Sequence, residues 1–240
     1  MPWGTLHPED YPPSVVLAAR TAWTRAAFQE HRTAIACTVT LKALLEARAP
    51  LDLVALATRF PLDEIVHVEL CSRLAMELGG GVPILHDPSH MVARARDELD
   101  PLMRCADLVV RFFCVGEALS IPMLRGTWHA TAHPLPKAVL STIVRDEAAH
   151  GTFGFSFLDW ALPDLEASDR EALAEAADAT VLSVKRIWTD IRARPKQKAM
   201  DVHSLGWMES EAYLTLAQES LEKRVLGPLR ERNIPIRSTA

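Results

Sequence analysis

The chain has 240 residues, of which 49% are hydrophobic, and its formal net charge is −5. This length and apolar content predict one domain around one substantial core. The mild negative charge gives no sign of a nucleic-acid partner. No apolar run is long enough to cross a membrane and no signal segment precedes the first helix, so we expect a cytoplasmic protein with no membrane partner.

Residue usage favours an all-α fold. The chain contains only ten glycines and few alternating β-branched runs, so helices are expected throughout. Its four cysteines form no C-x-x-C pair. They therefore indicate neither a disulfide framework nor a zinc or rubredoxin-type site.

The first part of the chain predicts an arm and two long helical segments. Residues 1–13 carry four prolines, which favour an extended arm laid over the rest of the protein. The first helix is predicted from Ser14 to about Ala49. The next helical segment is predicted to break at Phe60–Pro61 and to end at the three glycines 79–81.

The rest of the chain predicts two more bundle helices and a C-terminal extension. A glycine- and proline-rich stretch follows the second segment, and it is long enough to cross the end of a bundle. Residues 163–240 are predicted to add two helices that pack on the bundle or make a subunit contact. The predicted bundle ranges are Ser89 or Asp100 to Thr131 for the third helix, and Pro134 or Pro136 to Leu162 for the fourth.

One five-residue pattern, D-E-x-x-H, occurs twice in segments with helical apolar periodicity. The two copies are residues 63–67 and 146–150. Residues three apart share one face of a helix, so each copy directs a carboxylate and an imidazole the same way. Apolar residues share that face in both copies. Buried acids and histidines cost free energy unless something binds them, and a metal ion is the usual partner.

Two further glutamates lie on apolar helical stripes. Glu30 is spaced at helical intervals from Trp23 and Ala34, and Glu117 from Phe113 and Ile121. A single glutamate on such a stripe is more often a satisfied core acid. Beside two copies of D-E-x-x-H, however, both are interpreted as metal ligands.

The order Glu, Glu-x-x-His, Glu, Glu-x-x-His on four successive helices resembles the ferritin-like di-metal carboxylate superfamily. The resemblance covers about residues 14–162, and it implies a four-helix bundle with one long crossover inside a single domain, 1–240. It also implies two iron ions, with Fe/Fe and Mn/Fe pairs both open, and dioxygen as co-substrate. The implied metal ligands are Glu30, Glu64, His67, Glu117, Glu147 and His150.

The same resemblance gives a role to the aspartate that precedes each ligand glutamate. In oxygen-activating members of the superfamily, such an aspartate reaches the histidine of the partner helix and fixes its orientation. This implies that Asp63 pairs with His150 and that Asp146 pairs with His67. The alternative is that both aspartates are solvated surface acids.

Three functions are open from the sequence. The first is an oxygen-dependent di-iron oxidase or oxygenase that hydroxylates, desaturates or N-oxygenates a small organic substrate, with an electron donor expected and a homodimer left open. The second is an iron-handling protein that oxidises and stores Fe(II). The third is a helical scaffold whose core acids only specify packing. The six-residue ligand set favours the first.

A substrate pocket is predicted beside Pro122. A proline there cannot donate to the carbonyl of Ala118, so the third helix should bulge or kink near the metals. The rival location, by Ala34 and Gly154, is interpreted as close helix packing. The predicted pocket lining is Ala26, Ala27, Cys71 and Ile121.

Overall fold

The computed structural model describes residues 1–85, 92–193 and 204–239, and these ranges are helical with no strand. None of their helices has both the length and the apolar content that a membrane span requires. The elements are α1 (Pro13–Glu46), α2 (Leu51–Ala57), α3 (Phe60–Glu77), α4 (Pro101–Val109), a π-helical segment (Val110–Glu117), α5 (Ala118–Ala130), α6 (Pro134–Ala161), α7 (Ala167–Ala193), α8 (Ser210–Leu221), a second π-helical segment (Glu222–Leu226) and α9 (Gly227–Glu231).

Four long helical units form the bundle. α1 packs along α3, and α6 packs along the unit made of α4, the first π-helical segment and α5. α4 also contacts α1, and α3 contacts α6, so the four units enclose a common interior. The helices α7 and α8 lie against the α4–α5 unit, and α9 packs against the second π-helical segment.

The ends of α3 follow the predicted stop signals. Pro61 lies in the first turn of α3. Backbone N–H groups in a first turn have no partner within the helix, so a proline there breaks no hydrogen bond. At the other end Gly79 and Gly80 have φ angles of 100° and 104°, a left-handed backbone that ends a helix. Arg20 of α1 donates from Nε to the carbonyl of Gly80 at 2.7 Å, which fastens this corner to the neighbouring helix.

The third bundle unit begins at the second of its two predicted starts. The carboxylate of Asp100 accepts hydrogen bonds from two backbone N–H groups in the first turn. The other start, Ser89, lies outside the described residues.

A bulge is present in this unit, but it differs in place from the prediction. The π-helical segment ends on Glu117, where the N–H of Ala118 bonds to a carbonyl five residues back, and α5 runs on through Pro122.

α6 approaches the π-helical segment closely at Gly154. A Cβ atom at this position would lie 2.7 Å from Sγ of Cys114 and 2.9 Å from the backbone nitrogen of the same residue. Glycine is therefore required for the helices to come this close. The contact agrees with the interpretation of Gly154 as a packing residue.

Two apolar clusters fill the protein. The first is built around Phe60, Phe113 and Phe153, and it extends to α7, α8 and α9. The second is built around Trp23 and Cys71, and it extends to the N-terminal arm. Along α3 and α6, the buried polar residues lie between the stretches that belong to each cluster. The candidate site is therefore located where the two clusters meet.

The parts of the chain outside the bundle pack against it. In the arm, Leu6 is buried and the N–H of Gly4 donates to the carboxylate of Glu77 at 2.9 Å. Near the other end, the carbonyl of Leu205 accepts a buried hydrogen bond of 2.8 Å from Nε1 of Trp23. These contacts tie both terminal regions to the same end of α1 and α3.

Candidate metal centre

Four helical units direct six carboxylate and imidazole side chains to one place inside the bundle. α1 and the π-helical segment each supply a glutamate, and α3 and α6 each supply the glutamate and histidine of one D-E-x-x-H copy. Five of the six are buried, four of them with at most 2% of their surface exposed. The structure thus brings together all six residues predicted as ligands, namely Glu30, Glu64, His67, Glu117, Glu147 and His150.

Two glutamates lie between the two histidines. Glu64 directs Oε2 towards Nδ1 of His67 at 3.6 Å and Oε1 towards Nδ1 of His150 at 3.0 Å. Glu147 repeats the arrangement, with Oε1 3.3 Å from His67 Nδ1 and Oε2 3.0 Å from His150 Nδ1. Each carboxylate offers one oxygen to each side. This is the arrangement expected of carboxylates that bridge two metal ions.

The two remaining glutamates complete the two sides of the cluster. Glu30 places Oε2 3.9 Å from Nδ1 of His67, and Glu117 lies on the side of His150. The side chains form two groups, and within each group the ligand atoms all lie within 4.8 Å of one another. The His67 position comprises Glu30, Glu64, His67 and Glu147, and the His150 position comprises Glu117, Glu147 and His150.

Burial and mutual repulsion favour the protonated form of two of the acids in the metal-free protein. Burial raises the pKa of Glu30 and of Glu117 well above the ordinary value, and the neighbouring carboxylates raise it further. Burial would also raise the pKa of Glu147. Its contacts with the two histidines outweigh burial and lower that pKa to about 2.

The same contacts keep the histidines charged. Burial favours the neutral imidazole, but the carboxylates of Glu147 and Glu64 outweigh it and raise the pKa of His67 to about 10. They raise the pKa of His150 to about 11 for the same reason. A metal ion that binds through Nδ1 must therefore displace a proton from each histidine.

The ligand atoms have the properties that fit a metal pair. Both oxygens of Glu64, Nδ1 of His67 and of His150, and Oε2 of Glu147 are buried. In the described part of the chain they meet one another in ion-pair contacts, but none of them makes a hydrogen bond of good geometry. Each such atom costs about 1–3 kcal/mol. A set of carboxylates and imidazoles suits iron and manganese. Four carboxylates would also balance the charge of two divalent ions.

Each histidine turns its other ring nitrogen towards an aspartate of the opposite motif. Nε2 of His150 lies 3.4 Å from Oδ2 of Asp63, and Nε2 of His67 lies 3.6 Å from Oδ2 of Asp146. The first contact is within hydrogen-bond distance and the second is just beyond it. Arg145 donates from Nε to Oδ1 of Asp146 at 3.1 Å. The pairing is the one that the resemblance implied, and its role in metal binding stays a prediction.

Two neighbours of the site carry no motif that identifies them in the sequence. The ring centroid of Phe60 lies 4.1 Å from that of His150. The hydroxyl of Ser120 lies 3.3 Å from Oε2 of Glu117. Helical spacing was the only available signal, since Phe60 comes four residues before a ligand and Ser120 three residues after one.

The residues predicted to line a substrate pocket are packed against other side chains. Cys71 is fully buried in the second cluster, and Ala26 and Ala27 pack against the same cluster. The end of Ile121 covers Gly151, where an added Cβ would lie 2.0 Å from Cδ1 of the isoleucine. A pocket along these residues stays a prediction.

A separate apolar depression of about 250 Å³ lies between α1 and α3, and its lining includes Ala34, Ile35, Val39, Pro61 and Ile65.

Comparison with known proteins supports the fold. No protein-family model and no curated protein matches the sequence. Among solved structures, the chain is similar to a protein with aldehyde deformylating oxidase activity from Synechococcus, with a TM-score of 0.50 and 15% sequence identity over 90% of this chain and 98% of that one. The fold is ferritin-like. At this identity the similarity concerns the fold alone, so the assignment of ligands depends on the geometry above.

Proposed function

We propose that the protein is an oxygen-dependent di-iron oxidase or oxygenase that acts on a small organic substrate. The observation that carries the proposal is the pair of buried glutamates, Glu64 and Glu147, that are each shared between His67 and His150. A packing scaffold gains little from such a set, because among the described residues its buried polar atoms meet one another in ion-pair contacts without hydrogen bonds of good geometry. Two divalent ions would bind these atoms and balance their charge.

Each group of the chain has a definite part in this proposal. Two iron ions, when bound, would supply the chemistry that activates dioxygen. Glu64 and Glu147 would hold them as a pair, and the histidines would bind through Nδ1. Asp63 and Asp146 would accept a hydrogen bond from Nε2–H in the loaded protein, which would orient each ring and present Nδ1 to the metal ion. The two apolar clusters exclude bulk water from the site.

The test is oxygen consumption by the iron-loaded protein. Metal-free protein is loaded anaerobically with Fe(II), supplied with a chemical reductant and mixed with oxygenated buffer containing an organic compound. Because the fold is similar to that of a protein with aldehyde deformylating oxidase activity, an aldehyde is a suitable first compound. Amines and alkyl compounds then cover N-oxygenation, hydroxylation and desaturation. We expect oxygen uptake coupled to an oxidised organic product, detected by mass spectrometry.

Two controls separate this function from its rivals. Glu147→Gln should abolish coupled oxidation, whereas Asp159→Asn, on the same helix but paired with Arg232, should not. Oxygen uptake that yields only Fe(III), with many irons oxidised per chain, would favour an iron-storage function. A protein that binds no iron would favour the scaffold.

A further inference from the structure

The two metal positions differ in how completely the chain has assembled their ligands. Four residues of the His67 position present atoms within 4.8 Å of one another, against three at the His150 position. Glu64 also reaches His150 Nδ1, at 3.0 Å, but among the described residues it does not join Glu117 in a common group. The His150 position is therefore complete only if Glu117 and Glu64 come closer together.

The surroundings of the two positions also differ. The ring of His150 packs 4.1 Å from Phe60, which makes an edge contact with Phe153 at 5.2 Å, and Phe113 lies 5.0 Å from Phe153. These aromatic rings close the His150 side of the cluster. On the other side, the side chain of Glu30 is 15% exposed, against 0% for Glu64, 3% for Glu147 and 8% for the Glu117 residue as a whole. Glu30 is therefore the ligand glutamate most accessible from solvent.

Charge makes the second ion bind more weakly than the first, whichever position is filled first. An ion at the His67 position is surrounded by the three carboxylates of Glu30, Glu64 and Glu147. Once it is bound, both shared glutamates are partly neutralised, and only Glu117 brings a new charge to the second position. The second ion is also repelled by the first across a short, poorly solvated distance.

From these differences we infer that the metal centre is filled in order, first at the His67 position and then, more weakly, at the His150 position. This inference rests on the proposed di-metal function. Glu117 completes the second position, and it is the last residue of the first π-helical segment. The hydroxyl of Ser120 lies 3.0 Å from the backbone carbonyl of Glu117 and 3.3 Å from its Oε2, so it contacts this glutamate at both ends. Ser120 is therefore assigned as a positioning residue for the second metal ion.

The experiment is a titration of the metal-free full-length chain with Mn(II), in which electron paramagnetic resonance counts the free ion. The wild type should bind two equivalents, with affinities that differ on the order of 10-fold or more. Glu117→Gln should retain the tight equivalent and lose the weak one. Glu30→Gln should weaken the tight equivalent. Both substitutions preserve side-chain volume, and circular dichroism checks that each variant is folded.

Ser120→Ala tests the positioning role. It should weaken only the second equivalent, by about 10-fold, as is usual when a partner of a metal ligand is removed. Its matched control is Ser156→Ala, which should affect neither equivalent, because among the described residues the Ser156 hydroxyl bonds only to the Thr152 carbonyl. A merely structural role for Ser120 would lower stability and leave both affinities unchanged.

The outcomes that overturn the inference differ from those that overturn the proposed function. Two equivalents of equal affinity, reduced alike by both glutamine variants, would show that the positions are equivalent. Loss of the tight equivalent in Glu117→Gln, with its retention in Glu30→Gln, would show the opposite order. A wild-type chain that binds no Mn(II) would contradict the di-metal function itself.

Discussion

Gly154→Ala tests whether the contact between α6 and the π-helical segment is as close as the structure indicates. The new Cβ would lie 2.9 Å from the backbone nitrogen of Cys114 and 3.0 Å from the carbonyl carbon of Phe113. Backbone atoms cannot rotate away, so the helices must separate. Overpacking of this kind costs about 1–3 kcal/mol, and backbone contacts place the cost near the upper end. Alanine regains about 1 kcal/mol over glycine in a helix.

The net destabilisation expected for Gly154→Ala is therefore about 1–2 kcal/mol. For a chain of this size, each kcal/mol lowers Tm by about 2–4 °C, so the expected decrease is about 2–8 °C. Differential scanning calorimetry of the metal-free protein measures it. The separation should also move Glu117 away from Glu147 and weaken the second Mn(II) equivalent.

Gly151→Ala is the matched control, on the same helix one turn earlier. There the added Cβ meets Cδ1 of Ile121 at 2.0 Å, the flexible end of a side chain that can change rotamer. Its Tm should stay within a few degrees of wild type. If Gly154→Ala were as stable as wild type, or if Gly151→Ala were the more damaging change, the account of this helix contact would be wrong.

Three further predictions concern the surroundings of the site. Asp63→Asn and Asp146→Asn should each weaken Mn(II) binding by about 10–100-fold in a titration, while circular dichroism shows the fold intact. The control Asp159→Asn should leave the affinity unchanged. Wild-type affinity in both variants would show that Asp63 and Asp146 are only surface acids. The pKa values of His67 and His150 are raised from the ordinary 6.5 to about 10 and about 11. Their protonation therefore stabilises the metal-free protein fully below pH 6.5, and this stabilisation is lost as the pH rises towards those two values. Urea denaturation should show this decline without metal and a smaller one with it; parallel curves would contradict the assignment. Trp23→Phe removes the hydrogen bond to the Leu205 carbonyl and should lower the free energy of unfolding in urea by about 1 kcal/mol, while metal binding is unchanged. An unchanged free energy of unfolding would show that this bond does not stabilise the contact between α1 and the segment before α8.

The sequence is informative about the ligand helices because their signal is local and repeated. Glu64 and His67, three apart on α3, must share a face in any helix, and the same holds for Glu147 and His150 on α6. The stops at the ends of α3 are equally local, since proline and glycine act on their own backbone. Local patterns of this kind were sufficient to predict the all-helical fold and the residues that converge at its centre.

The features that the sequence did not predict depend on contacts between distant residues. The bulge lies where Gly154 packs against Cys114, forty residues away in the chain, and the local proline at 122 did not predict this position. The guanidinium of Arg111 pairs with the buried carboxylate of Asp107 at 2.6 Å, and no pattern in the sequence marks this pair. A carboxylate that is 1% exposed in a helix cannot be recognised until its neighbours are known.

Metal analysis combined with anomalous diffraction is the measurement that tests the central claim most directly. Protein grown with iron, or reconstituted with Fe(II), should contain two ions per chain. Diffraction at the iron edge should locate them about 3–4 Å apart between the two histidines, with Glu64 and Glu147 bound to both. A chain that holds no ion or a single ion, or one in which Glu30 or Glu117 points to solvent in the loaded protein, would contradict the assignment of a di-metal centre.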